Sequence, residues 1–146
     1  MNRGEKLNIN ISAPNLISIC VDESSRGELS GRIYQCYSKL PQDFENVVQL
    51  LRLMENLYDC IRFPEAATES RSFVPKEKED ISRPEKLLSA EEILSQKGEA
   101  ATFAVHVQFR QNSSWQGDAV WVERDIKVHF TSELELIKLI DSVLNV

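Results

Sequence analysis

Long apolar runs are missing from this chain of 146 residues, the longest being the four residues 119–122. A membrane-spanning helix needs about 20 consecutive apolar residues, and a secretory leader needs an apolar core of roughly 7–15. Neither a membrane segment nor a leader in MNRGEKLNINIS is therefore expected. Histidine is scarce, with only His106 and His129, and the three cysteines, Cys20, Cys36 and Cys60, form no C-x-x-C. A zinc centre wants three or four converging His, Cys or carboxylate ligands, so no metal and no cofactor are expected. An odd count of thiols among hydrophobic neighbours reads as reduced cysteines in a cytoplasmic protein. Glycine and proline number five each, which excludes collagenous and low-complexity classes. The glycines match neither G-x-x-x-x-G-K-[ST] nor G-x-G-x-x-G, so phosphate-cradling loops of those kinds are excluded. Positive charge is never in excess: the net charge is −6, and acidic groups outnumber basic ones in each of 1–63, 64–98 and 99–146. That pattern lacks the electrostatic footprint of nucleic-acid binding, and no nucleic-acid partner is expected.

What is present suits a folded α+β chain. Apolar residues make up 42% and charged residues 27%, and a chain of this length can bury roughly two-thirds of its extended surface. The β-branched run around 16–21 and the alternating GRIYQCY at 31–37 predict a hairpin over 15–37, its loop near Ser25. Pro41 stops the strand, because proline offers no ladder donor. Residues 44–61 predict a helix, with Val47, Leu50, Leu51, Met54, Leu57, Tyr58 and Ile61 on one face and Asn46 or Asp43 as its cap. The stretch 62–100 reads as a charged connector, with a short helix capped by Ser89 and Glu92 and closed by Gly98. Strands are expected at 101–109, 118–122 and 126–130, with a loop at 111–116. His106 and His129 fall at the outward positions of this pattern. A last helix follows at 134–144, capped by Ser132, with seven of its eleven residues apolar.

An offset of 86 residues lays 18–58 on 104–144 without a gap. Gly31 then falls on Gly117, Phe44 on Phe130, Leu50 on Leu136 and Asn46 on Ser132. Only five of the 41 pairs are identical, yet every pair between 48 and 57 is chemically similar. The expectation is one domain over 1–146, an α+β fold of two sequential β-hairpin–helix units. A first unit at 15–61 and a strand-rich second at 101–146 would share one antiparallel sheet, the two long helices on one face.

Two segments, Asp22-Glu-Ser-Ser-Arg-Gly27 and Asn112-Ser-Ser-Trp-Gln-Gly117, fit [DN]-x-S-x-x-G. This is similar to half of the motif of PilZ domains, a resemblance that implies cyclic di-guanylate binding on a β-barrel. The family's other half, R-x-x-x-R, is absent from this chain. From Trp115 onward the chain resembles small uncharacterised bacterial proteins, which implies no particular activity. The stretch 110–117 has the composition of a binding hot spot, an Arg and a Trp among hydrogen-bonding groups. Arg110, Asn112, Ser114, Trp115, Gly117 and Trp121 are therefore the candidate ligand- or partner-binding residues, with Trp115 folded inward over the core as the competing reading. No catalytic set can be assembled from the residue types present. The leading expectation is a non-enzymatic protein-binding or assembly module that self-associates as a homodimer. A small-ligand or nucleotide sensor using 110–117 is the alternative, and an enzyme with spatially gathered polar residues the third class.

Overall fold

The computed structural model describes residues 9–25, 28–63, 84–111 and 114–144. Its elements run β1 (Ile17–Ser25), β2 (Glu28–Gln35), β3 (Gln42–Phe44), α1 (Val47–Ile61), α2 (Ala90–Leu94), β4 (Ala101–Gln111), β5 (Ser114–Trp121), β6 (Ile126–Phe130) and α3 (Glu133–Leu144). The six strands form one antiparallel sheet in the order β3-β2-β1-β4-β5-β6, and the class is α+β.

This architecture corrects the expected pair of hairpin–helix units with two long helices. The first half carries a third strand, and the described residues hold three helices, of 15, 5 and 12 residues. Pro41 was read as the end of strand structure, but the chain resumes pairing immediately after it. Gln42, Asp43 and Phe44 stand opposite Ile33, Arg32 and Gly31. Helix α1 consequently starts at Val47 rather than at 44. Its N-cap is Asn46, whose side chain accepts from Gln49 N at 2.9 Å, and it closes on Arg62 in the left-handed region, φ 53°. Helix α2 has the full capping box between Ser89 and Glu92, but it ends at Leu94, before Gly98. The stretch 64–83 of the connector lies outside the described residues.

Opposed residues of an antiparallel pair share a face. Ile17 stands opposite Val105 and Ile19 opposite Phe103, so these side chains make one apolar layer. Leu50, Met54, Leu57, Tyr58 and Ile61 of α1 and Leu136 and Ile140 of α3 complete it in a single hydrophobic cluster. The helical spacing of those residues is what turns both helices toward the same layer.

The second face was expected to be solvated, because β4 alternates so cleanly in sequence. Instead Ser18, Cys20, Thr102, Ala104, His106 and Val120 are buried there. Leu16 and Ile93 of α2 are buried as well, and α2 packs on β1. Residues 84–100 are tied down at both ends: Leu87 N and Leu88 N donate to Cys36 O at 2.6 and 3.0 Å, and Ala100 N donates to Val21 O at 2.8 Å. Arg32 reinforces the second tie. Its Nε and Nη2 donate to the two Asp22 carboxylate oxygens at 3.0 and 3.1 Å, and Nη2 also donates to Lys97 O at 2.9 Å. The Arg32 hydrogen bonds hold the Asp22 carboxyl below its ordinary range.

Two glycines set how closely the strands approach. Gly31 pairs with both Val21 and Phe44, and Gly117 with both Val107 and Phe130. In each case the ladder shifts register just beyond the pair, between Val21 and Glu23 and between Val107 and Phe109. A Cβ on Gly31 would lie 2.0 Å from Cys20 O, and one on Gly117 would lie 2.1 Å from His106 O. Backbone atoms of a central strand cannot move aside cheaply. Gly31→Ala and Gly117→Ala are each expected to lower the unfolding free energy by about 3 kcal/mol. Urea melts check this, with a loss below about 0.5 kcal/mol for both, the range of neutral surface changes, counting against the close approach.

Candidate functional site

Part of the loop expected at 111–116 is strand: β4 runs to Gln111 and β5 starts at Ser114, with Arg110 opposite Trp115 and Gln111 opposite Ser114. The bulge after Val107 adds one residue to β4, which resets the alternation beyond it. Arg110 is thereby turned to the helix-covered face, where Trp115, in phase with Gly117 and Ala119, already points; both are buried, at 6% and 4% exposure. Asn112 lies outside the described residues, as do Arg26 and Gly27 of the other PilZ-like segment.

Arg110 and Trp115 meet α1. Arg110 Nη1 donates to Asp59 Oδ1 at 2.8 Å and lies 3.6 Å from Glu55 Oε1, while Nη2 donates to Tyr58 O at 3.3 Å. The guanidinium stands 5.7 Å from the Tyr58 ring centre. Trp115 meets the same ring edge-on, with centroids 5.3 Å apart and planes at 82°. Its Nε1 donates to Glu55 Oε2 at 3.1 Å, and its backbone N donates to Glu133 Oε1 of α3 at 2.5 Å. Ser114 Oγ donates to Thr131 O at 2.9 Å, and Gly117 is the close-approach glycine already described. Arg110 and Trp115 fasten both long helices to the β4–β5 hairpin.

Burial pushes the Tyr58 phenol far above its ordinary range, and its hydroxyl has no hydrogen-bond partner among the described residues. Arg110→Ala removes the ion pairs and the stacking over Tyr58, and is expected to cost about 2–4 kcal/mol. Arg110→Lys should recover less than half of that, because an ammonium lacks the planar fork. Tyr58→Phe should cost under about 0.5 kcal/mol, because an unpaired buried hydroxyl contributes nothing. Thermal melts of the three variants check this ordering.

Trp121 belongs to a different place. It stands half-buried on the helix-side face, opposite Phe103 on one side and Ile126 on the other. Arg124 lies 5.7 Å from its ring centre. Beyond it, β6 leaves Ile126 and Val128 at 49% and 39% exposure. Leu134, at the start of α3, is exposed as well. Of the wide apolar arc in α3, Leu136 and Ile140 are buried, while Ile137, Leu139, Val143 and Leu144 are half-buried.

The opposite face of β4–β5–β6 carries a polar cluster. Asp118 accepts from Gln108 Nε2 at 3.3 Å, lies 3.1 Å from His129 Nδ1, and lies 3.6 Å from Lys127 Nζ. An ionised carboxylate only accepts, so Nδ1 carries the proton in that bond. His106, opposite Asp118 on the other side, is buried. Sequence reasoning passed over both histidines as outward-facing, because only the strand register brings 106, 118 and 129 abreast. Burial draws the His106 imidazole below its ordinary range, with Asp118 opposing that shift and Lys127 adding to it. Below the usual imidazole pKa of about 6.5, the unfolded chain therefore binds a proton that the folded chain refuses. Stability present above that pH is lost as the pH falls. His106→Gln is expected to flatten the stability profile between about pH 6.5 and 5, the Asp22 contribution lying lower still. An unchanged slope in denaturant melts across that window would contradict the assignment.

Other sites are sparse. Among the described residues no group of three or more His, Cys, Asp or Glu is arranged to hold a metal ion. An open cleft of about 450 Å³ is lined by Glu28, Asn46, Val47, Val48, Gln49 and Arg52, but the Asn46 carboxamide there already caps α1. Cys20 and Cys36 are free, buried thiols, pushed up by burial. No described helix is long and apolar enough to cross a membrane. No protein-family model, curated protein or solved structure matches the chain.

Proposed function

We propose that the protein is a non-enzymatic protein-binding or assembly module of the cytoplasm, and that β6 with its flanking apolar strip is the docking edge. The free thiols support the compartment. The observation that carries the reading is the contrast between the two edges of the sheet. At one edge β3 is three residues long and follows Pro41, which is how folded proteins blunt an edge. At the other, β6 runs five residues without proline, and four of them are exposed. An edge strand offers unpaired backbone donors and acceptors to an added strand. Here it also carries Ile126 and Val128, continuous with Trp121, on one face. Large aromatic side chains beside an open edge suit an anchor at the centre of an interface.

The Arg110 guanidinium and the Trp115 indole nitrogen are engaged with α1, so the docking edge is built from Trp121 and β6 rather than from 110–117. Immobilised protein exposed to an extract of its own cells tests this reading. Val128→Lys sets a charge on the exposed apolar strip of the edge, and Trp121→Ala removes the anchor. Proteins retained by the wild type should be lost from both variants and kept by Val48→Ala, a change on the exposed side of α1. Equal retention by all four baits would contradict the proposal.

A further inference from the structure

The sequence of β6 is arranged so that it matches itself. Resting on the reading of β6 as the docking edge, we infer that its occupant is a second copy of the chain. The two β6 strands add antiparallel about a two-fold axis at Val128, giving one sheet continuous through both molecules.

Three observations carry this. Val128 is the centre of the strand Ile126–Phe130, so antiparallel addition there sets Val128 against Val128 of the second copy and Ile126 against Phe130. Opposed residues share a face, so the exposed Ile126 and Val128 gain apolar neighbours on the helix side and continue the line from Trp121. On the other face the same register sets Lys127 of each copy beside His129 of the other. With Nδ1 donating to Asp118, the second nitrogen of a neutral His129 ring is an acceptor, and an ammonium is a donor. Asp118 supplies the negative charge behind it, so donor meets acceptor twice, related by the two-fold. Lys127 would ordinarily discourage strand addition at an edge, but its charge is already answered by Asp118 at 3.6 Å.

The other edge decides the stoichiometry. Strand β3 is short and preceded by Pro41, so addition does not propagate from it. A self-matching contact used once closes as a dimer rather than a filament.

Sedimentation of the full chain over a wide concentration range tests the inference. Roughly 0.15 M salt shortens the Debye length to about 8 Å and so screens the mutual repulsion of two chains of net charge −6. The wild type should pass from monomer to dimer and stop there. Val128→Lys sets two ammonium groups together at the axis, and Lys127→Glu sets a carboxylate toward each Asp118–His129 pair. Each should weaken the dimer at least about tenfold, while Lys138→Glu on the exposed side of α3 should leave it unchanged. Circular dichroism melts of the same samples confirm that the variants are folded. A chain that stays monomeric throughout overturns the second copy as occupant, while leaving the docking edge to the extract comparison. A dimer indifferent to both β6 variants forms through another surface and also overturns it.

Discussion

Five residue pairs between β1 and β4 hold the two halves of this molecule together. Ile17–Val105, Ser18–Ala104, Ile19–Phe103, Cys20–Thr102 and Val21–Ala101 form the only strand-to-strand seam between the first three strands and the last three among the described residues. All ten side chains are buried, at 3% exposure or less. Each large apolar member contributes about 1.5–3 kcal/mol by leaving water, and both faces of the seam are roofed. Helices α1 and α3 cover one face. On the other, residues 84–100 cross the sheet and are fixed by backbone bonds at Cys36 and Val21. Neither half has a closed core of its own without this seam, because α1 reaches across it. Its Tyr58 lies under Arg110 and against Trp115 of the other half.

That arrangement explains why the polar and aromatic side chains do different jobs at the two ends of β5. Near its start, Trp115 is surrounded by α1 and α3, and its polar atoms are matched by Glu55 and Glu133. Near its end, Trp121 is only half-buried against the core, and β6 beside it has no strand on its outer edge among the described residues. The helix-side cover therefore thins out toward β6 and leaves Ile126 and Val128 in solvent. The polar cluster around Asp118 lies directly behind that margin. Its charges are paired within the molecule, so the edge carries charge without net repulsion toward an added strand.

Much of this was legible in the sequence because burial imposes period. The limits of β6, the caps Asn46 and Ser89, and the buried faces of both long helices follow from spacing and residue type alone. What was not legible depended on register. The strand after Pro41 is only three residues long, too short to show alternation, and it is defined by pairing with Gly31. The inward Trp115 was one of the two readings its sequence allowed, but the bulge after Val107 is invisible in sequence, and it is what turns Arg110 inward beside it. The burial of His106 was missed for a similar reason: strict alternation implies one wet face, and nothing local announces that residues 84–100 return to cover it. Trp121 was identified as a candidate, but its partners Ile126 and Val128 were recognisable only once the uncovered edge was known.

The central claim is that β6 is an unfilled edge which a second strand completes, while the β1–β4 seam is complete within one chain. Amide hydrogen exchange, followed residue by residue in dilute and in concentrated solution, separates the two directly. The account predicts that the amides of β1 and β4 are protected equally at both concentrations, and that those of β6 gain protection only in the concentrated sample. Amides of β6 that exchange at the same rate in both samples would contradict it.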